Sequence, residues 1–229
     1  MVCNDLFGEE LNYLIGKIFE TNIGNLLIKK ELGKGKSGFS YLATLENQKY
    51  VLKLMHNKPC PYYNFGDNKV IMELNAYRKL KGSGIFIPEL LDYDPGRKYI
   101  VKDFIDGIVA SQLIAENKIN DSILEQLFEM FRLAKKMNSN IDYFPTNFVW
   151  QGNQLFYIDY ECNPYNLEWD LLNWGIYYWI NTEGFKNFQL KGDVLYINES
   201  VDSGIPIKKP LTKKVKEMMY RDKLLLNQI

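Results

Sequence analysis

The chain has 229 residues, with 28 Lys plus Arg balanced by 28 Asp plus Glu for a formal net charge of zero. That balance argues against a dedicated nucleic-acid binder, which needs a basic excess to neutralise phosphates. A content of 46% hydrophobic and 24% charged residues excludes bulk disorder and fibrous repeats, and allows one large domain or two small ones. Three cysteines, Cys3, Cys60 and Cys162, are too few and too scattered for a disulfide framework or a CxxC metal site. A single histidine, His56, excludes the usual catalytic triads and multi-His zinc sites. The N-terminal segment lacks a basic-then-apolar leader pattern. The longest apolar stretch, around Leu171 to Ile180, reaches only about half of the ~20 residues a bilayer span needs. A cytoplasmic protein with no membrane span is expected.

In chain order, Leu6, Phe7, Leu11, Leu14, Ile15, Ile18 and Phe19 fall at helical spacing and predict an amphipathic helix over 5–20. Three antiparallel strands follow, over 26–32, 39–45 and 49–56, separated by a glycine cluster at 33–38 and a turn at Glu46-Asn47-Gln48. Val70, Leu74, Tyr77 and Leu80 predict a helix over 68–81. Strands at 89–93 and 98–105 flank an Asp94-Pro95-Gly96 turn. Beyond Asp106-Gly107 the pattern turns mainly helical. One helix is predicted over 121–137, with Asp121 as its cap, then a small hairpin, 148–150 and 155–158, around Gln151-Gly152-Asn153-Gln154. A buried aromatic helix over 168–181, a Gly/Pro-punctuated region over 184–210 and a basic amphipathic helix over 211–227 complete the chain. This order implies two lobes.

Residues Gly33-Lys34-Gly35-Lys36-Ser37-Gly38 form a G-x-G-x-x-G between two strands, where glycines let a backbone approach phosphates. A strand rather than a helix follows, which argues against a Rossmann turn, and Lys30 stands where a Walker A loop needs its first glycine. Lys53 lies on a strand and Glu73 on the next helix, an arrangement that can present an ammonium to nucleotide phosphates. Asp142 and Asn147 follow in the helical half, and Asp159 comes after the small hairpin. An Asp base near an acceptor hydroxyl, with Asn and Asp oxygens for Mg²⁺, suits phosphoryl transfer.

Over roughly residues 26 to 180 this order resembles the protein-kinase-like superfamily. The resemblance implies an α+β, bilobal fold in one kinase-like domain over 1–229. Its N-lobe, about 1–104, would hold a five-stranded antiparallel sheet plus a helix. A hinge at about 102–107 would lead to a compact, mainly helical C-lobe over 108–229. It further implies that ATP and Mg²⁺ are bound, with Gly33, Gly35, Ser37 and Gly38 over the phosphates and Lys53 paired with Glu73. Asp103, Phe104 and Ile105 would lie at the nucleotide hinge, Asp142 would be the catalytic base, and Asn147 and Asp159 the metal ligands. Asn140 and Ile141 replace the expected His and Arg, and Tyr160-Glu161 replaces Phe-Gly. Trp169-Asp170 follows Asp159 too closely for a regulatory activation segment. With Pro145 in the loop, the catalytic half is similar to aminoglycoside phosphotransferases and choline kinases, whereas the glycine loop is similar to that of protein kinases.

Between Met137 and Phe185 there is no Lys or Arg, while six carboxylates and all four Trp fall there. Such a stretch suits a cationic acceptor held by carboxylates and ring faces, or else supplies rings to a core. The expected function is transfer of the ATP γ-phosphate to an alcohol group of a small, amine-bearing acceptor. A compact Ser/Thr protein kinase acting on a protein and a nucleotide-binding pseudokinase scaffold are the alternatives. His56 and Cys162 read as a partly exposed loop residue and a small buried hydrophobe, and the lysines of the C-terminal helix as a solvated face.

Overall fold

The computed structural model describes residues 14–35, 37–56, 68–201 and 203–226. Cys3, Cys60, Lys36 and the first part of the predicted N-terminal helix lie outside them. Among the described residues the chain is α+β and divides into two compact units. One holds the chain up to Arg78 together with Pro88–Ile105, and the other holds Lys79–Ile87 and everything from Asp106.

The first unit is built on strands β1 (Ile18–Thr21), β2 (Gly24–Lys34), β3 (Gly38–Leu45) and β4 (Gln48–Met55). Helix α1 (Lys69–Leu80) follows, then β5 (Leu90–Asp94) and β6 (Tyr99–Asp103). The strands form an antiparallel sheet in the order β1-β2-β3-β4-β6-β5, so it has six strands where five were expected. The additional strand occupies the end of the segment predicted as a helix. Gly16 has φ +83, which a continuing helix cannot accommodate, and its N–H donates to the Ile28 carbonyl. The Thr21 hydroxyl donates to the Gly24 carbonyl and closes the β1–β2 turn. Alternation then puts Leu26, Ile28, Tyr41, Leu52, Tyr99 and Val101 into one apolar core. In α1 the predicted stripe Val70, Leu74, Tyr77 and Leu80 is buried, and the helix ends at Gly82 and Gly84, both with positive φ.

The second unit contains β7 (Ile108–Val109), α2 (Ala110–Ala115), α3 (Asp121–Lys136), β8 (Ser139–Ile141), β9 (Phe148–Gln151), β10 (Gln154–Tyr157) and β11 (Cys162–Pro164). It closes with α4 (Ile176–Trp179), α5 (Thr182–Lys191) and α6 (Thr212–Leu226). β7, β9 and β10 make one small sheet, and β8 pairs with β11. Helix α3 is capped by Asn120, whose side chain accepts from the Ile123 N–H, rather than by Asp121. Its inner face carries Ile123, Leu127, Phe128 and Phe131 into a core shared with Phe148, Tyr157, Trp179 and Phe185. The aromatic helix predicted over 168–181 is broken up. A 3₁₀ turn over Leu167–Trp169 and a π turn over Leu171–Gly175 precede α4. A Cβ on Gly175 would stand 2.5 Å from the Tyr143 Cβ, so only glycine admits this approach. The region read as Gly/Pro-punctuated holds most of α5, which Asn181 caps by accepting from the Gly184 N–H and which Gly192 ends in the left-handed conformation. In α6, Val215 and Met218 face inward while Lys213, Lys214 and Lys216 are exposed. Among the described residues no helix is long and apolar enough to cross a membrane.

Candidate active site

Two groups of side chains stand out, one in each unit. In the first unit, β4 pairs with β3 on one side and β6 on the other, with Lys53 opposite Ser40 and Ile100. This central position buries Lys53, and its ammonium lies 2.5 Å from Glu73 Oε1 on α1. The Ser37 hydroxyl donates to the same carboxylate oxygen at 3.1 Å. Ser37 thus fastens the glycine cluster to the ion pair, a link not visible in the motif.

Around the glycine cluster β2 and β3 pair antiparallel. Lys34 pairs with Phe39, and the Gly35 N–H donates to the Gly38 carbonyl at 2.9 Å. Its three glycines differ. Gly38 is buried, and a Cβ there would collide with the Leu54 carbonyl oxygen. Gly33 and Gly35 are exposed with no positive φ; a Cβ on Gly33 meets nothing within 4 Å, and one on Gly35 only the Gly38 oxygen at 3.8 Å. His56 lies under this turn: its N–H donates to the Ser37 carbonyl and its Nε2 is 3.2 Å from the Gly35 carbonyl. The His56 carbonyl accepts from the Lys69 ammonium at 2.7 Å. The half-buried His56 therefore serves the turn. At the end of β6 the Asp103 N–H donates to the Glu89 carbonyl, and burial, followed by the charge of Glu89, holds the Asp103 carboxyl above its ordinary range. Phe104 carries the Lys49 ammonium 5.6 Å from its ring centre, and Ile105 is half-buried beside it.

In the second unit, Asp142 follows β8. One of its carboxylate oxygens accepts from the Phe144 N–H at 3.0 Å, which fixes the side chain by a local turn. Pro145 opens a 3₁₀ turn that ends at Asn147. The Asn147 Nδ2 donates to the Asp142 carbonyl at 3.4 Å, and the Asn147 carbonyl accepts from the Ile158 N–H at 2.8 Å. That second bond sets Asp159 beside Asn147 after the β9–β10 hairpin has carried the chain out and back. The structure therefore brings Asp142, Asn147 and Asp159 together, all half-buried. With its Nδ2 turned to Asp142, Asn147 has its amide oxygen to offer a cation. An Asn and an Asp oxygen are the hard donors that Mg²⁺ takes while keeping several waters. Among the described residues no group of three or more His, Cys, Asp or Glu could hold a metal ion.

Tyr157 is a member of this group that the motifs did not mark. It is fully buried, its hydroxyl accepts from the Asp142 N–H at 3.2 Å and donates to the Glu161 carbonyl at 2.9 Å. Burial, then the charges of Asp159, Asp142 and Glu161, push that hydroxyl well above the usual tyrosine range, so it stays protonated. The one sequence signal was a hydroxyl-bearing ring at an inward position of β10, which needs a partner when buried. Of the acidic, aromatic stretch, Tyr143, Tyr160, Tyr178 and Trp179 are core residues. The Trp179 indole N–H donates to the Tyr143 carbonyl at 2.9 Å. Glu168 and Trp169 stay exposed, and Cys162 is half-buried in β11. No protein-family model matches the chain, and no curated protein is detectably similar to it.

Proposed function

We propose that the chain is an ATP- and Mg²⁺-dependent phosphotransferase of protein-kinase-like fold that moves the γ-phosphate to an alcohol group. The observation that carries this reading is the buried Lys53–Glu73 pair. A buried ion pair is not a cheap way to hold a strand to a helix, since apolar side chains of similar size do as well or better. Its use lies in a fixed ammonium, and nucleotide phosphates are anions that such a point charge can meet. The exposed Gly33 and Gly35 support the same reading, because the fold itself gives no reason for glycine at either position.

Lys53 would neutralise the α- and β-phosphates, and the amides of the glycine turn would accept the polyphosphate closely. The backbone of Asp103, Phe104 and Ile105 would hold the base. Magnesium, held by Asn147 and Asp159, would supply charge neutralisation at the transferred group. Asp142, fixed by the Phe144 N–H, would orient the acceptor hydroxyl and take its proton. The acceptor is read as a small molecule. The segment between Asp159 and Asp170 is taken up by β11, paired with β8, and by the Leu167–Trp169 turn, leaving no stretch for a peptide-docking activation segment. Glu168 and Trp169 are the exposed residues of this region able to meet an amine-bearing acceptor by charge and ring face.

The test is ADP release from Mg²⁺-ATP across a panel of amino sugars, amino alcohols, neutral sugars and a generic Ser/Thr protein. Turnover on amine-bearing alcohols, lost in Asp159→Ala, supports the reading. Turnover on protein alone moves the assignment to a protein kinase, and ATP binding without turnover on any acceptor moves it to a pseudokinase scaffold.

A further inference from the structure

Every loop that carries catalytic groups must be held to a fraction of an ångström, and the residues that hold it matter nearly as much as those that react. In the second unit two backbone segments meet at one side-chain atom. The Asp142 N–H donates to the Tyr157 hydroxyl at 3.2 Å, and that hydroxyl donates to the Glu161 carbonyl at 2.9 Å. The ring is fully buried, packed 5.2 Å from Phe148, and its own N–H is fixed by the Phe86 carbonyl. These contacts hold the hydroxyl in place. The two residues preceding Asp142 are Asn140 and Ile141. The Asn140 Nδ2 is spent on the Asn166 carbonyl at 2.7 Å, and Ile141 has no polar side-chain atom. Beside the β8–β11 pairing, in which Ile141 faces Cys162, Tyr157 adds a side-chain tie between the Asp142 turn and the segment after Asp159.

Resting on the phosphotransferase reading, we propose that Tyr157 is a positioning residue: its hydroxyl locks the Asp142 turn and the Asp159–Glu161 segment into one register, so that base and metal ligands move as a unit. It touches no substrate. Its loss should lower turnover and change the response to Mg²⁺ while leaving nucleotide affinity alone.

Tyr157→Phe keeps the ring and deletes the linking atom. The expected result is a kcat about 100-fold lower, an unchanged KM for ATP, and a higher Mg²⁺ concentration at half-maximal rate. Ile123→Val, in the core on α3, serves as the control for simple loss of stability and should leave kcat and Mg²⁺ dependence at wild-type values. In parallel, amide hydrogen exchange should quicken at both Asp142 and Tyr160–Glu161 in Tyr157→Phe, and at neither in Ile123→Val. If Tyr157→Phe lowers only the melting temperature, with kcat and Mg²⁺ dependence as in wild type, the proposal is overturned. Exchange that quickens at one segment alone overturns it as well. If the wild-type protein shows no turnover on any acceptor, the phosphotransferase reading fails, and the exchange arm by itself decides whether Tyr157 couples the two segments.

Discussion

The Lys53 ammonium lies 2.5 Å from Glu73 Oε1 with the two side chains only 8% and 9% exposed. Removing either partner leaves the other charge buried. Lys53→Ala and Glu73→Ala should each cost about 3–5 kcal/mol, whereas Lys53→Met with Glu73→Leu together should stay close to wild-type stability and lose nucleotide-phosphate binding. Urea denaturation of the four proteins reads these stabilities. Two single variants each costing less than about 1 kcal/mol would show the pair to behave as a solvated one.

The glycines of the β2–β3 turn separate fold from function. Gly38→Ala drives a methyl group into the Leu54 carbonyl and should destabilise by about 1–3 kcal/mol through overpacking. Gly33→Ala and Gly35→Ala have open space and should leave the melting temperature where it is while weakening ATP binding. Unaltered ATP affinity in both, measured by calorimetry, would remove the glycine turn from the nucleotide site.

Asp92 ties the β1–β2 turn to β5. Its carboxylate accepts from the Asn22 N–H and Nδ2, the Tyr93 N–H and the Tyr99 hydroxyl. Burial opposes its charge, but these four hydrogen bonds win and hold its carboxyl below the ordinary range. A depressed folded-state pKa gives stability that is present above the unfolded value of about 3.9 and is lost as pH falls through the folded value. The wild-type melting temperature should therefore drop on acidification below about pH 4. Asp92→Asn should start lower at pH 7, by about 1.5–3 kcal/mol for hydrogen bonds to a charged group, and follow a flatter acid limb. Parallel acid limbs would show that another carboxylate governs the transition.

Asp142→Asn preserves the acceptor for the Phe144 N–H and removes the basic oxygen. Phosphotransfer should fall by about 10²–10⁴ with ATP binding and melting temperature unaltered. Retained turnover would reassign the base.

Much of the sheet was readable because β2, β3, β4 and β6 are short β-rich runs bounded by glycine and Asp-Pro-Gly turns, even though β6 is buried without a break from Tyr99 to Lys102. β1 was not readable. Ile15, Ile18 and Phe19 fit a helical stripe, and only the positive φ of Gly16 and pairing with β2 decide otherwise. Helix α5 was hidden for the opposite reason. Asn181, Gly184 and Gly192 look like loop residues, yet each has a helical task. Asn181 caps, Gly192 terminates, and Gly184 is small because a Cβ there would meet the Asn181 side chain. In the candidate site the charged residues were visible by type and order. Tyr157 was not, because a tyrosine at an inward strand position reads as packing until its hydroxyl is seen between Asp142 and Glu161.

The β9–β10 hairpin gives the spacing of Asn147 and Asp159 a mechanical meaning. Its turn residues Gly152 and Asn153 both have positive φ, the geometry of a two-residue hairpin connection. Phe148 pairs with Tyr157 at the open end, one step before the Ile158 N–H meets the Asn147 carbonyl. Strand side chains alternate with period two, so one residue added to either arm would turn Asp159 to the opposite face. The interval between the two residues is therefore a ruler cut by the turn: one residue added to each arm keeps the register, and an odd insertion keeps it only where a bulge takes up the extra residue.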